Sequence, residues 1–372
     1  SNSAFGQNFD RVYYPKYSAS WVLSEEPFWP LRVVNTLKLR AAYGESGKQP
    51  ETFAALRTYA PEVGPGDSPA VRPDLIGNPD LGPERGKELE VGFDAGFFGD
   101  RFGLEFTYYD KRTEDAILQR EMAPSAGFAG FQFFNAGEIR NRGVEVLARA
   151  RPIERRRLAW ELTLNVATND NEVLDLGQPG LRFVTAGTFL RHQVGYPVGG
   201  FFEKKVVSAT LDGQGNAVDV QCDNGQGGAM PCAGADARYG TADDAPAVYL
   251  GRTVPEVESA LGSTFTFFDR LRLYTLLDYK GGHRKIDGNT RVRCTFFGGR
   301  CRENFFPQEF DPKRIAAIQS SRNLVDFLID DATFLRLREV ALAYDLPAQW
   351  LAWSGASRTS VSVAGRNLHT WT

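Results

Sequence analysis

Along most of the chain, apolar and polar residues alternate with a period of two. Leu37, Leu39, Ala41 and Tyr43 alternate with Lys38, Arg40 and Ala42. Leu89, Val91, Phe93, Ala95 and Phe97 alternate with Glu88, Glu90, Gly92, Asp94 and Gly96. After a break at Gly99-Asp100, Phe102, Leu104, Phe106 and Tyr108 take up the same alternation. Val144, Val146, Ala148 and Ala150 lead to a turn near Pro152–Arg155. Leu158, Trp160, Leu162, Leu164 and Val166 follow. Leu261, Phe265 and Phe267 run to Asp269-Arg270, and Leu271, Leu273, Leu277 and Tyr279 return. Val340, Leu342 and Tyr344 precede Pro347, and Val361 and Val363 resume the pattern. Period-two runs separated by tight breaks predict antiparallel hairpins. In Phe334–Glu339 the apolar phase flips, which predicts a bulge or a strand end.

The predicted strands often exceed ten residues, against about five or six in most soluble sheets. Their second face is charged or small and polar, which a sandwich core does not allow. Short connections lie near residues 24–33, 99–100, 152–157, 269–270 and 347–357. Long ones lie near 45–84, 121–137, 171–254 and 285–331. Alternation of short and long connections fits an all-β, transmembrane antiparallel barrel with short periplasmic turns and long extracellular loops. Aromatic residues gather at the short turns: Trp21, Phe28 and Trp29; Phe97 and Phe98; Phe267 and Phe268; Trp350 and Trp353. Rings at one strand-end level are expected to form an interfacial girdle.

Composition narrows the function classes. Of 372 residues, 42% are hydrophobic and 24% charged, which excludes a disordered or collagen-like chain. The net charge of −3 carries no basic excess of the kind nucleic acid attracts. There are only 3 His and 2 Met, which argues against a His-built catalytic or metal site. No run of 18 apolar residues marks a membrane helix, but a barrel strand needs only about 9–11 residues. The N-terminal residues show no signal-peptide pattern and no starting Met, as expected if the chain begins inside a longer protein.

Six segments carry a resemblance. They are Leu37–Gly44 (LKLRAAYG), Gly77–Glu84 (GNPDLGPE), Tyr108–Thr113 (YYDKRT), Asn135–Glu145 (NAGEIRNRGVE), Leu335–Val340 (LRLREV) and Gly365–Leu368 (GRNL). In this order and spacing the chain resembles the C-terminal barrel region of SusC/RagA-type TonB-dependent outer-membrane transporters. The resemblance implies roughly half of a plugged barrel of about 22 strands, with about eleven or twelve strands present. Residues 1–372 would form one barrel portion without plug, N-terminal strands or last strand. It also implies import of an oligosaccharide or peptide, driven by TonB through a segment outside this sequence. A SusD-like surface lipoprotein would lid the barrel, and outer-membrane lipid of a Gram-negative-type bacterium would surround it. No cofactor and no enzymatic activity are implied. A passive porin-like channel and a soluble β-rich carbohydrate-binding module are the alternatives.

Candidate chemistry sits in the loops. Cys222 with Cys232, and Cys294 with Cys301, are close pairs in a non-cytosolic loop context and read as local disulfides. Zinc is the rival, but the spacings are wrong and no His is near in sequence. His192, His283 and His369 are far apart. Gly44–Lys48 lacks the first Gly and the Ser/Thr of a phosphate loop and reads as a strand-end turn. Asp212–Asn216 lacks the spacing of a calcium loop and reads as a hairpin turn, and Asp236, Asp243 and Asp244 read as a solvated loop. Phe128, Phe131, Phe133 and Phe134 form one aromatic cluster, and Phe296 and Phe297, with Phe305 and Phe306, another. Aromatic faces suit sugar rings or apolar peptide side chains, so the first six are the substrate-contact candidates; packing of loop on loop is the competing role. Gly143 is expected to start a strand where backbones come close.

Overall fold

The alternating runs become one antiparallel sheet. Its strands are β1 (Lys16–Val22), β2 (Val34–Lys48), β3 (Glu84–Phe97), β4 (Phe102–Glu121), β5 (Phe131–Arg155), β6 (Leu158–Thr168), β7 (Val257–Phe267), β8 (Leu271–Gly281), β9 (Phe334–Asp345) and β10 (Ser360–Trp371). Each pairs with its neighbour in chain order, and Asp170–Asp175 adds to β5 beyond the end of β6. The computed structural model describes residues 13–128, 130–178, 180–296, 299–320, 323–350 and 359–372. Among these, β1 and β10 do not pair with each other, so the sheet is open.

Two compact units are present. The sheet unit comprises residues up to Arg182, Pro255–Gly281 and Thr333 onward; the loop unit comprises Phe183–Val254 and Gly282–Ala332.

In the sheet unit, register puts like with like. Leu104, Ala148, Leu164, Leu261 and Leu277 lie in one row across β4 to β8. Because side chains alternate across a strand, this row fixes the apolar face, and the intervening residues all fall on the other side. Phe93 stacks on Phe106 at 5.4 Å and Trp160 on Phe265 at 5.1 Å, which are cross-strand pairs that pin this register.

Several boundaries differ from the sequence reading. Residues 152–155 are not a turn: β5 continues to Arg155, with a register shift between Ala150 and Ile153, and the turn is Arg156-Arg157. Gly44–Lys48 lies inside β2 rather than in a turn. The predicted 121–137 loop is much shorter, because β4 and β5 run on together to Glu121 and Phe131. Gly143 sits within β5 rather than at its start, but the close approach is real: a Cβ there would lie 1.9 Å from the Thr168 carbonyl oxygen. The phase flip in β9 is a bulge, with Leu337 and Glu339 facing Leu277 and Leu276 and Arg338 left over.

The loop unit has its own small core. A four-stranded sheet joins Phe183–Thr185, Leu190–Gln193, Gly200–Glu203 and Val248–Gly251, and a three-stranded sheet joins Val206–Leu211, Ala217–Asp223 and Ala229–Pro231. Helix α1 (Gly288–Thr295) is capped by the Asp287 side chain, α2 (Arg302–Phe305) is one turn, and α3 (Pro312–Gln319) begins at Asp311 with Pro at its first position. Val206, Cys222, Cys232, Ala245, Ala317 and Leu324 are buried together.

Candidate functional site

The apolar face has two ends. At the short-turn end Phe97 lies against Phe102 at 5.6 Å and Phe265 against Phe267 at 6.2 Å. Phe98 and Phe268 occupy the turns and are each 65% exposed. Trp21 meets Phe28 edge-on at 6.3 Å and donates to Glu26 at 2.8 Å, while Trp29 donates to the Val34 carbonyl at 3.0 Å. Trp350 is exposed, and Trp353 lies outside the described residues.

Towards the long loops the same face changes abruptly. The apolar positions end at Tyr43, Leu89, Tyr108 and Val144, and the next positions on that face are Glu45, Lys87, Asp110 and Arg142. These residues are paired. Tyr43 donates to Glu45 at 2.8 Å, and Arg85 binds the same carboxylate. Lys87 meets Glu114 at 2.6 Å, Arg112 meets Glu138 at 3.2 Å, Arg142 meets Asp170 at 2.9 Å, and Arg140 forks onto Asp110. In β3 the apolar run from Leu89 to Phe97 spans about 26 Å along the strand, or about 20 Å of height at the usual barrel tilt. That approaches the apolar band of an outer-membrane wall.

The opposite face is mostly polar or small, with Leu147 and Leu276 as apolar exceptions. Arg40 donates to Asp94 at 2.9 Å and to Thr107 at 3.2 Å. Arg149 meets Glu105 at 2.8 Å, Lys280 meets Glu258 at 2.8 Å, and Arg338 meets Asp278 at 2.9 Å. A groove on this face is lined by Arg40, Glu105, Glu145, Asn165, Glu258 and Asp278, and three of its four carboxylates are paired with Arg149, Lys280 and Arg338.

Beyond the charged positions, the loop after β2 is clamped to the extensions of β4 and β5. Asn78 donates to the Phe133 carbonyl at 3.0 Å and accepts from Asp80 N at 3.1 Å. Asn135 accepts from Gly82 N at 2.7 Å and donates to the Gly82 carbonyl at 3.1 Å and the Asp115 carbonyl at 2.7 Å. Leu81 is buried with Ala54 and Ala55, against Ile117 and Phe133. Gly77 has φ +71, and a Cβ there would strike the Leu56 backbone at 2.4 Å. The two quoted motifs, GNPDLGPE and NAGEI, are thus the two halves of one clamp. Only the two asparagines, one in each motif, signal this pairing in the sequence.

The loop phenylalanines divide by exposure. Phe128 is buried, tilted on Tyr59 at 5.9 Å with Arg57 over its ring at 5.3 Å. Phe134 is buried beneath Arg120 at 5.2 Å, and Phe133 packs into the clamp. Phe131 is 39% exposed and meets Phe133 edge-on at 5.5 Å. Phe296, half-buried, has Arg291 over its ring at 5.6 Å, and Phe297 lies outside the described residues.

In the loop unit, Cys222 is joined to Cys232 and Cys294 to Cys301. Glu303 comes near the second pair, but both sulfurs are already bonded to each other and Glu303 binds Arg314 at 2.8 Å. The first bridge closes the three-stranded sheet, and α3 lies over it: Gln319 donates to the Gly215 carbonyl at 2.9 Å and accepts from Ala217 N at 2.8 Å. Asp212 accepts from Gln214 N and Asn216 N, both at 2.8 Å; the Asn216 side chain and these amides hold its carboxyl below the usual range. This is a turn that satisfies itself. The aspartates 236, 243 and 244 are not simply solvated. Asp243 accepts from Thr241 at 2.8 Å and Ala235 N at 2.7 Å, and Asp244 is bound by Lys204. Burial pushes the Glu203 carboxyl up to about 7, against the pull of Arg191. Arg191 lies over Phe183 at 4.2 Å, and Tyr196, Phe202 and Tyr249 cluster beside it. His192 accepts from Gly199 N at 3.1 Å, and burial lowers its pKa. His369 packs on Trp371 at 4.5 Å.

The family model described as "TonB dependent receptor-like, beta-barrel" matches residues 1–311. A relative from Formosa agariphila, TonB-dependent receptor P39, is 31% identical over 54% of this chain and 20% of its own length. TonB-dependent receptor SusC of Bacteroides thetaiotaomicron is 23% identical over 95% of this chain and 35% of its own length. The RagAB peptide importer in its closed-closed state superposes with a TM-score of 0.77, at 21% identity, over 100% of this chain and 41% of that one. The chain therefore spans well under half the length of these relatives.

Proposed function

The chain belongs to the TonB-dependent receptor-like β-barrel family, and from that premise we propose that residues 1–372 form a portion of the wall and loops of an outer-membrane importer. Its cargo is an oligosaccharide or a peptide, taken up with energy delivered through TonB. A SusD-like lipoprotein lids the side that carries the long loops.

The observation that carries this reading is the two-faced sheet. One face is apolar for a height suited to a bilayer and then turns charged at the long-loop end, while the other is mostly charged, polar or small, with Leu147 and Leu276 the exceptions. A soluble sheet would bury the apolar face, yet Leu39, Val91, Leu261, Leu342 and Val363 are exposed on it. Lipid outside and water inside satisfy both faces. A plug within the polar face would convert the wall into a gated importer. Among the loop phenylalanines we assign cargo contact to Phe131, which is 39% exposed, whereas Phe128, Phe133 and Phe134 hold loop structure.

The test is deletion of the full-length gene, followed by growth on single oligosaccharide or peptide sources. Growth should be lost on one cargo class, kept on simple sugars or amino acids, and equally lost when TonB is removed. Unchanged growth on every source would end the importer reading, and a protein found in the soluble fraction would end the membrane reading.

A further inference from the structure

The turn after β5 places arginine where the apolar face should end. From Val144 to Ala150 the even-numbered residues face the apolar side. Had the alternation continued, Glu154 would have shared that face. The register shift between Ala150 and Ile153 changes the phase, so that Ile153 lies opposite Trp160 and Arg155 lies opposite Leu158. Leu158 in turn aligns with Phe267 and Leu271. Arg155 thus occupies the last row of the apolar face, beside aromatic and aliphatic neighbours, and the acid is sent to the polar side.

Arg156 and Arg157 form the turn itself. Phe268 N donates to the Arg157 carbonyl at 2.9 Å, which draws the next turn alongside, and that turn carries Arg270. Four arginines therefore lie on two neighbouring turns and the strand end that leads into them, all exposed. None has a carboxylate partner among the described residues, although Asp269 is in the second turn and Glu154 is on the polar face. Unpaired arginines at the edge of an apolar face bury their stems in hydrocarbon and hold their heads at headgroup depth. A guanidinium forks onto phosphate oxygens, and Phe267 and Phe268 supply a surface for the glycerol and upper acyl chain.

We propose that Arg155, Arg156, Arg157 and Arg270 form a binding site for an anionic glycerophospholipid in the leaflet next to the short turns. The proposal rests on the membrane-spanning reading above. A net anionic headgroup fits better than a zwitterionic one, whose own ammonium competes for the phosphate.

Full-length protein, purified in detergent, is examined by native mass spectrometry with phosphatidylglycerol or phosphatidylethanolamine. The wild type should retain phosphatidylglycerol in preference. Each arginine changed to Gln should weaken retention about fivefold, the effect of one basic residue near a membrane surface. Arg155→Lys, which keeps the charge but loses the fork, should restore only part of the loss of Arg155→Gln, and Arg72→Gln, on the exposed short strand Pro69–Pro73, should change nothing. Equal retention of both lipids by the wild type would overturn the site. So would retention of phosphatidylglycerol by the Arg155→Gln/Arg156→Gln/Arg157→Gln variant at the wild-type level. Heat-modifiable migration separates the two failures: a protein that migrates as a folded barrel but lacks lipid preference refutes this site alone. One that shows no barrel behaviour refutes the membrane reading beneath it.

Discussion

Leu164→Arg tests the membrane assignment at a single side chain. Leu164 lies in the apolar row with Ala148 and Leu261. It is six residues from Leu158 at the short-turn end, so about 20 Å along β6 and about 15 Å in height at a 40° tilt. In an apolar band about 25 Å tall, that is within a few ångströms of the midplane. An arginine there should cost about 2–4 kcal/mol, or roughly 30- to 1,000-fold in the folding equilibrium. Asn165→Arg, one residue on, points to the other face, where Glu105, Glu145, Glu258 and Asp278 line the groove. It should cost within about 0.5 kcal/mol. Denaturant unfolding of full-length protein in lipid vesicles, read by tryptophan fluorescence, measures both. Equal costs for the two variants, or a larger cost at Asn165, would refute the assignment of faces.

Gly143→Ala should destabilise the folded barrel by about 1–3 kcal/mol or more, because its Cβ meets the Thr168 carbonyl at 1.9 Å, whereas Gly103→Ala, with open space around it, should leave the heat-modification midpoint unchanged. Replacing Cys222 and Cys232 together by Ser should loosen the three-stranded sheet of the loop unit by about 2–3 kcal/mol for a loop of this length, seen as faster limited proteolysis near residues 206–232. Glu203 gives a pH effect whose sign follows from its raised pKa. The folded unit holds the proton longer than the unfolded chain does, so the contribution is full below about 4.5 and is lost as pH rises through about 7. Protection factors across Gly200–Glu203, corrected for the base-catalysed rise of intrinsic amide exchange, should therefore fall between pH 5 and 8, and Glu203→Gln should flatten that fall.

Much of the sheet could be read from the chain because a half-lipid, half-water strand writes its two environments into alternate residues. Leu89 to Phe97 and Leu158 to Val166 show this directly. The reading failed where a backbone event breaks the period. Pro152 resembles a turn signal, but the shift at Ala150–Ile153 carries the strand on, so the turn falls at Arg156-Arg157, the far end of the 152–157 connection. It failed again at Phe131–Gly137, where strand residues are covered by the clamped loop and no longer alternate by polarity. Between the two roles open to the loop phenylalanines, Phe128 and Phe134 take packing: they are buried by partners more than fifty residues away or by a cation above the ring. Asn78 and Asn135 are separated by fifty-seven positions, and nothing local announces that they serve one clamp. The cysteine pairs were legible since each closes within a short span of chain.

The switch from apolar to charged residues above Tyr43, Leu89, Tyr108 and Val144 has a mechanical consequence. In a bilayer, sinking the sheet by two residues would carry Glu45, Lys87, Asp110 and Arg142 about 5 Å into hydrocarbon, at roughly 1 kcal/mol for each charge. Raising it would draw the opposite end, with Arg155, into the same difficulty. The wall is thus held at one depth from both sides, like a hull between two load lines. On the proposed importer reading, a pull from the periplasm would meet this resistance to sliding and would act more readily within the lumen or among the loops.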